Sequence, residues 1–484
     1  MGHLIRISPF VGVVLGVFCY ELGTTSLFLY NPYVIPTLFR VIGLCLILYF
    51  VFKTSYKRLD RNVASYYQLL IIWILFVVIR GVFIGNIRPD STSFADGLRF
   101  AFIGEFGEIT YLAPLLALMA VRLDSLYYLK KIAIVFCVIF FVLAILNREQ
   151  ILFGLVAQGK TELLDFNGEE ISVRNIIRAA SPGFGLIVFM LFCFNYIKGK
   201  IKFLLPAAVV LGFFGNAIGG GRGTTAFSLL YLILFIFIVL KYPVNEFERL
   251  KGKRKNKLLR VALFVLIIVA GVWGINYLYE QTNVFDVLAN HAFGGKDIDA
   301  GYWNDNRGII TKDFLNDFNS DFFAWVWGRG ANGTFHTYYD FSGGQRVSME
   351  WGYLYLVLKG GIIYLFLYSF CLIHGAYVGY FRSNNAFSKA LSFMCIVLIV
   401  NLISTGAEPQ YSMLYVISWM CFGLVERKDV RSLGDREIYN YFNIKHYSRL
   451  RKEIYTTVPL KWTNLLFKII EIQSIRRFFE MKRT

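Results

Sequence analysis

Charge is what this chain has least of. Asp, Glu, Lys and Arg make up 17% of its 484 residues, against about a quarter in ordinary soluble domains. So poor a supply excludes a water-soluble globular protein of this length, and hydrophobic residues at 56%, with aromatics at 18%, fill the deficit. Histidine is scarce too: His3, His291, His336, His374 and His446 show no metal-ligand spacing, which argues for metal-independent action. A stretch with Asp297, Asp299, Asn304 and Asp305 lacks the later glycine and bidentate glutamate of a calcium loop. All seven cysteines, Cys19, Cys45, Cys137, Cys193, Cys371, Cys395 and Cys421, fall in apolar segments, so no disulfide framework is indicated. The glycine run Gly219-Gly220-Gly221 before Arg222 is not the G-x-x-x-x-G-K-S/T loop of a nucleotide-binding site. No internal repeat, low-complexity run or soluble α/β pattern is present, and no cofactor is implied.

Long apolar runs are what the chain does have. A spanning helix needs roughly 20 mainly apolar residues, and about twelve such segments start near residues 8, 33, 66, 98, 129, 181, 203, 224, 259, 351, 386 and 409. The fold class expected is therefore all-α, a polytopic integral membrane protein. The first and fourth segments lie closest to the threshold. The first follows only Arg6 and no small-residue cleavage site comes after it, so it reads as a retained span.

A net charge of +18 would suggest nucleic acid in a soluble protein, but its distribution excludes that partner. The termini and alternate loops, residues 1–7, 53–65, 122–131, 198–202, 241–260, 380–389 and 427–484, hold 35 of the 50 Lys and Arg side chains. This positive-inside bias places both termini in the cytoplasm and residues 86–97, 147–180, 218–224, 278–350 and 405–409 outside. The chain divides into a membrane-embedded domain, residues 1–426, and a basic tail, residues 427–484.

The large outer loop, 278–350, interrupts an otherwise regular series of spans, and long ordered loops usually carry function. Within it Ile310, Phe314, Phe318 and Phe322 recur every four residues beside an acidic stripe of Asp313, Asp317 and Asp321. That pattern predicts a short amphipathic helix lying over the outer membrane surface. The end of the tail, with Trp462, Leu465, Leu466, Ile469 and Ile470 among Lys461, Lys468, Arg476 and Arg477, reads as a helix on the anionic lipids of the inner leaflet.

Arg222 stands between two apolar segments, where a charge is costly unless it meets an anion. Arg178 precedes Ser181-Pro182 and another such segment. Both helices that follow run inward from outside, so each arginine sits near a helix N-terminus, an end that attracts anions. Ser181 is a plausible N-cap with Pro182 at the first helical position. Arg307, at the start of the amphipathic segment, is a third anion-binding candidate, and Arg329 and Arg346 are lesser ones. For each, the competing reading is a snorkelling or solvated charge. Glu350 stands where the tenth span begins and is placed to accept a proton; His336 is the alternative base. Arg80, Arg99, Glu105 and Glu108 lie in or beside spans and form an ion network, or, for Arg80 and Glu105, line an acceptor path.

The order of these elements, Arg178 with Pro182-Gly183, Gly221-Arg222-Gly223, Arg307 ahead of Gly328-Arg329-Gly330, then Glu350 with Tyr353-Leu354 and Gly360-Gly361, resembles the O-antigen polymerase and ligase superfamily of bacterial envelope glycosyltransferases. The likeness covers about Arg174 to Gly361. It implies a GT-C-like membrane glycosyltransferase of the bacterial inner membrane with its active site on the outer face. The substrates implied are undecaprenyl-pyrophosphate-linked glycans; membrane lipids, and a chain-length regulator protein, are the other partners to consider. Ligases of that superfamily carry a histidine where this chain has Glu350, which favours a polymerase. On this resemblance Arg178, Arg222 and Arg307 grip pyrophosphate, Glu350 or His336 acts as base, and Arg80, Glu105 and Arg329 border the substrate path. A ligase, or a flippase or secondary transporter, is the alternative.

Overall fold

The computed structural model describes residues 8–26, 34–53, 61–83, 97–98, 101–102, 110–118, 121–146, 162–164, 170–172, 182–218, 222–242, 306–337, 344–349, 351–404, 412–445 and 447–448. In chain order the helices are α1 (Pro9–Ser26), α2 (Val34–Phe52), α3 (Arg61–Phe83), α4 (Ser125–Leu146), α5 (Phe184–Phe192), α6 (Leu204–Ile218) and α7 (Arg222–Lys241). They continue with α8 (Asn306–Asn319), α9 (Phe322–Trp327), α10 (Gly352–Phe381), α11 (Ala386–Ser404), α12 (Ser412–Val425), α13 (Lys428–Arg431) and α14 (Asp435–Asn443). Two small antiparallel pairs accompany them: β1 (Glu162–Leu164) with β2 (Glu170–Ser172), and β3 (Phe335–His336) with β4 (Gln345–Arg346). The described chain is thus mostly helical, in keeping with an all-α membrane protein.

Among the described residues, five helices are long and apolar enough to cross a membrane: α2, α3, α4, α10 and α11. The apolar parts of α1, α7 and α12 are shorter. The expected ninth span, near residue 259, lies outside the described residues. The fourth, expected from about residue 98, has its residues 99–100 and 103–109 outside the described residues and includes a 3₁₀ helix, Thr110–Leu118, with Pro114 inside it. A proline there removes one backbone donor and crowds the preceding turn, and the Tyr67 hydroxyl donates to the Pro114 carbonyl.

Glycines set how closely the first two helices approach. Gly12 and Gly16 are four apart on α1, and a Cβ on Gly16 would stand 2.9 Å from the Gly43 carbonyl oxygen of α2. Small residues at this spacing let two backbones touch, the usual way helices associate where lipid removes the hydrophobic drive. At the centre lies α12, buried along its whole length. It packs against α1, α5, α10, α11 and the 3₁₀ helix.

Segments that the charge pattern assigns to one side gather at one end of the bundle. Ser8 Oγ meets Ser125 Oγ at 2.7 Å, Arg427 donates to the Val121 carbonyl at 2.8 Å, and Asn385 Nδ2 donates to the carbonyls of Val430, Arg431 and Leu433. Lys130 Nζ donates to the Phe442 carbonyl at 2.6 Å. The first part of the tail, including α13 and α14 with Ile438 and Phe442 buried, is therefore folded against the bundle. The tail beyond residue 448 lies outside the described residues. Glu21, Gly183, Met413 and the residues of the large loop meet at the other ends of the same helices.

Candidate functional site

The described part of the large loop, residues 306–337 and 344–349, is a small folded body seated on the ends of α3 and α10. Ile310, Phe314 and Phe318 of α8 are buried, and Phe314 packs edge-on against Trp325 and Phe335. The amphipathic helix exists, and its apolar face covers the loop's own core. Phe322 belongs to the next helix and is 73% exposed, because α8 stops at Asn319 and the Asp321 side chain caps α9, accepting from Ala324 N–H at 3.2 Å. The acidic stripe is spent internally as well. Asp313 accepts from Thr337 Oγ1 at 2.8 Å, and Asp317 accepts from Arg329 Nη1 at 2.5 Å and from His336 N–H at 3.0 Å.

Seating depends on a break in α10 at Gly361, whose φ of 72° and ψ of −175° lie outside the helical range. Glycine alone reaches that conformation without strain. The break frees carbonyls that a continuous helix would satisfy, and the loop takes them: Arg329 N–H donates to Leu358 O at 2.7 Å and Gly330 N–H to Lys359 O at 2.9 Å. Trp73 Nε1 from α3 donates to Gly360 O at 2.7 Å, and its ring stacks on Trp327 with centroids 5.2 Å apart. Ala331 N–H reaches Val77 O at 2.9 Å, while Asn332 Nδ2 bonds the carbonyls of Gly81 and Gly97. The segment Gly328-Arg329-Gly330 thus returns to the helix bundle, with no room for a Cβ at Gly328 or Gly330.

Of the candidate site residues singled out in the sequence, this junction brings Arg80 and Arg329 together. Arg80, near the end of α3, lies close enough to Asp321 and Arg329 for both charges to act on it. Arg329 is held by Asp317 and by the Thr334 carbonyl at 2.8 Å, and it covers the Phe318 ring, so its guanidinium is engaged within the loop. His336 is exposed on β3, opposite Gln345. Arg222 is the first residue of α7 and Arg307 the second of α8. Arg178, Glu105, Glu350, Arg99 and Glu108 lie outside the described residues.

The capping expected at Ser181 and Pro182 is corrected. The helix starts at Phe184, and its N-cap is Gly183 at φ 80°, with no side-chain cap of its own. Gly183 N–H donates to Glu21 Oε2 at 2.7 Å, while Met413 N–H donates to Glu21 Oε1 at 2.5 Å. An internal carboxylate therefore occupies the N-terminal end of α5, the end at which an outside anion was expected. Glu21 escaped the sequence reading although it stands in an apolar run, and so did Arg40, fully buried in α2, whose Nη2 meets Tyr20 Oη at 3.1 Å. A half-buried pair between His374 Nδ1 and Glu426 Oε1, 2.8 Å apart, joins α10 to the end of α12. The signal for all three was an ionisable residue within or at the edge of an apolar segment. Lys359, 3% exposed, donates to the Gly333 carbonyl at 3.1 Å and steadies the loop from beneath.

Compared with family models, curated proteins and solved structures, the chain matches none of them.

Proposed function

We propose that this protein is a glycosyltransferase that polymerises a surface polysaccharide of the O-antigen or capsule type. It moves a glycan from undecaprenyl pyrophosphate to a sugar hydroxyl of a lipid-linked repeat unit. The observation that carries the reading is that Arg222 is the first residue of α7 and Arg307 the second of α8, at the helix end where backbone N–H groups and dipole favour a phosphate.

In this reading Arg178, Arg222 and Arg307 hold the pyrophosphate. As the bond from the anomeric carbon to the phosphate oxygen breaks, negative charge gathers on the leaving group, and guanidinium groups offset it. The acceptor hydroxyl attacks from the opposite face, inverting the centre, and Glu350, with His336 as alternative, takes its proton. The reaction calls for no metal. Arg80, beside the docked loop, and Glu105 border the acceptor path, and Arg329 shapes that border. The membrane is the bacterial inner membrane, with both termini cytoplasmic and the site facing outward.

The test is synthesis of polymer by purified protein from a lipid-linked repeat unit, followed as chain length on a gel. Arg222→Ala should abolish polymer while the protein still inserts in the membrane, and normal chain lengths in that variant would overturn the assignment. A ligase would instead transfer finished polymer to a lipid-A core supplied in place of the repeat unit. A flippase or secondary transporter has one observation in its favour, the break in α10, since transporters bind substrate at interrupted helices. Here the freed carbonyls are already occupied by Arg329 and Gly330, which favours the enzyme. Elongation in detergent, with no gradient, separates the two.

A further inference from the structure

At the end of the bundle that carries α13 and α14, two lysines converge on one pair of tyrosines. Lys241, the last residue of α7, donates from Nζ to Tyr380 Oη at 2.9 Å and stands 4.8 Å above the Phe237 ring. Lys389 Nζ lies 5.2 Å from the centroid of the Tyr242 ring. The charges of both lysines act on the Tyr380 hydroxyl, which is hydrogen-bonded to Tyr242. Tyr242 is fixed from its other side, its carbonyl accepting from Asn195 Nδ2 at 2.9 Å. Lys241 is exposed and Lys389 half-buried.

Among the described residues neither lysine pairs with a carboxylate. Asp435, the first residue of α14, is engaged by the Tyr196 hydroxyl and by the N–H of Ala386 at the start of α11. The helix dipole accounts for one lysine only. Lys241 sits at a C-terminus, where a cation is favoured, but Lys389 is the fourth residue of α11, at the end where a cation is disfavoured. Two cations brought to one hydroxyl, one of them against the dipole, make a place that attracts an anion. Leu240, Tyr377 and Phe381 flank the cluster and are exposed, so the anion that fits arrives with acyl chains attached.

We propose that Lys241, Lys389 and the Tyr242–Tyr380 pair bind the phosphate of an anionic phospholipid. The lysines neutralise it, the Tyr380 hydroxyl donates to one of its oxygens while Tyr242 holds Tyr380 in place, and the flanking apolar side chains meet its tails. This site is independent of the glycosyltransferase reading and stands at the other end of the bundle from the loop. The positive-inside pattern puts it in the cytoplasmic leaflet, where anionic lipids and basic residues attract each other.

The experiment uses the full chain, purified in a neutral detergent and depleted of lipid, with phosphatidylglycerol, phosphatidylcholine and inorganic phosphate as probes. Phosphatidylglycerol should raise the melting temperature while the other two leave it unchanged. Retained phosphatidylglycerol, read by native mass spectrometry, should fall about fivefold for each lysine removed in Lys241→Gln and Lys389→Gln and return in Lys241→Arg and Lys389→Arg. Three results would overturn the site: equal response to phosphatidylcholine, equal response to inorganic phosphate, or undiminished lipid retention in the glutamine variants. Each single variant carries the test by itself if the double variant does not fold.

Discussion

Glu21 Oε2 accepts a 2.7 Å hydrogen bond from the backbone N–H of Gly183, 162 residues later in the chain. Its other oxygen accepts from Met413 N–H, so one carboxylate holds the beginnings of α5 and α12. Both donors belong to helix ends that cannot satisfy their first N–H groups internally, and the site is 1% exposed at Glu21. Glu21→Ala should therefore lower stability by about 1–3 kcal/mol for each buried N–H left without an acceptor, with Glu21→Gln in between. Thermal unfolding in detergent measures this; an unchanged midpoint for the alanine variant would show that the pin contributes nothing.

Gly361 has a φ of 72°, and a Cβ there would lie 2.0 Å from the Val326 carbonyl oxygen. Gly361→Ala should combine backbone strain of order 1–3 kcal/mol with displacement of the loop from α10. The expected signature is faster proteolysis between residues 306 and 349, compared with the wild-type chain at equal protease. Resistance equal to wild type would contradict the docking described above.

Asp317 and Arg329 pair at 2.5 Å with side chains about a fifth exposed, and both also bond the loop backbone. A double-mutant cycle of Asp317→Ala and Arg329→Ala should give a coupling energy of about 1 kcal/mol, screened only weakly by salt because the pair is mostly covered. Additive single effects would mean that the two residues act separately.

Glu350→Gln should stop polymer formation while lipid donor still binds, and His336→Gln should leave it nearly intact. Rates in the two variants, measured at saturating donor, assign the base. Full activity in Glu350→Gln moves that role to His336 or elsewhere.

Sidedness is open to thiol labelling. Gln345→Cys and Lys200→Cys place exposed residues at the two bundle ends. On intact cells an impermeant reagent should modify the first and spare the second; the reverse pattern would invert the proposed topology.

The sequence alone determined the class, an all-α membrane protein, because hydropathy is a one-dimensional property. Hydropathy located α2, α3, α4, α10 and α11 without any knowledge of neighbours, and lysine and arginine counts sorted the loops into two sets that the structure gathers at two ends. The i, i+4 recurrence of Ile310, Phe314 and Phe318 likewise announced α8. What that recurrence could not say is which surface the apolar face would meet. Phe335 and Trp325 turned it inward, and no periodicity encodes a partner elsewhere in the chain. Glu21 shows the same limit: a carboxylate in an apolar run signals a buried anion, yet its donors, Gly183 and Met413, are fixed only when three helices pack. The Gly360-Gly361 pair marked a place where a helix could break. Only the tertiary structure decided that it did, because an interrupted helix is stable where another segment, here Arg329 and Gly330, supplies the hydrogen bonds its freed carbonyls lose.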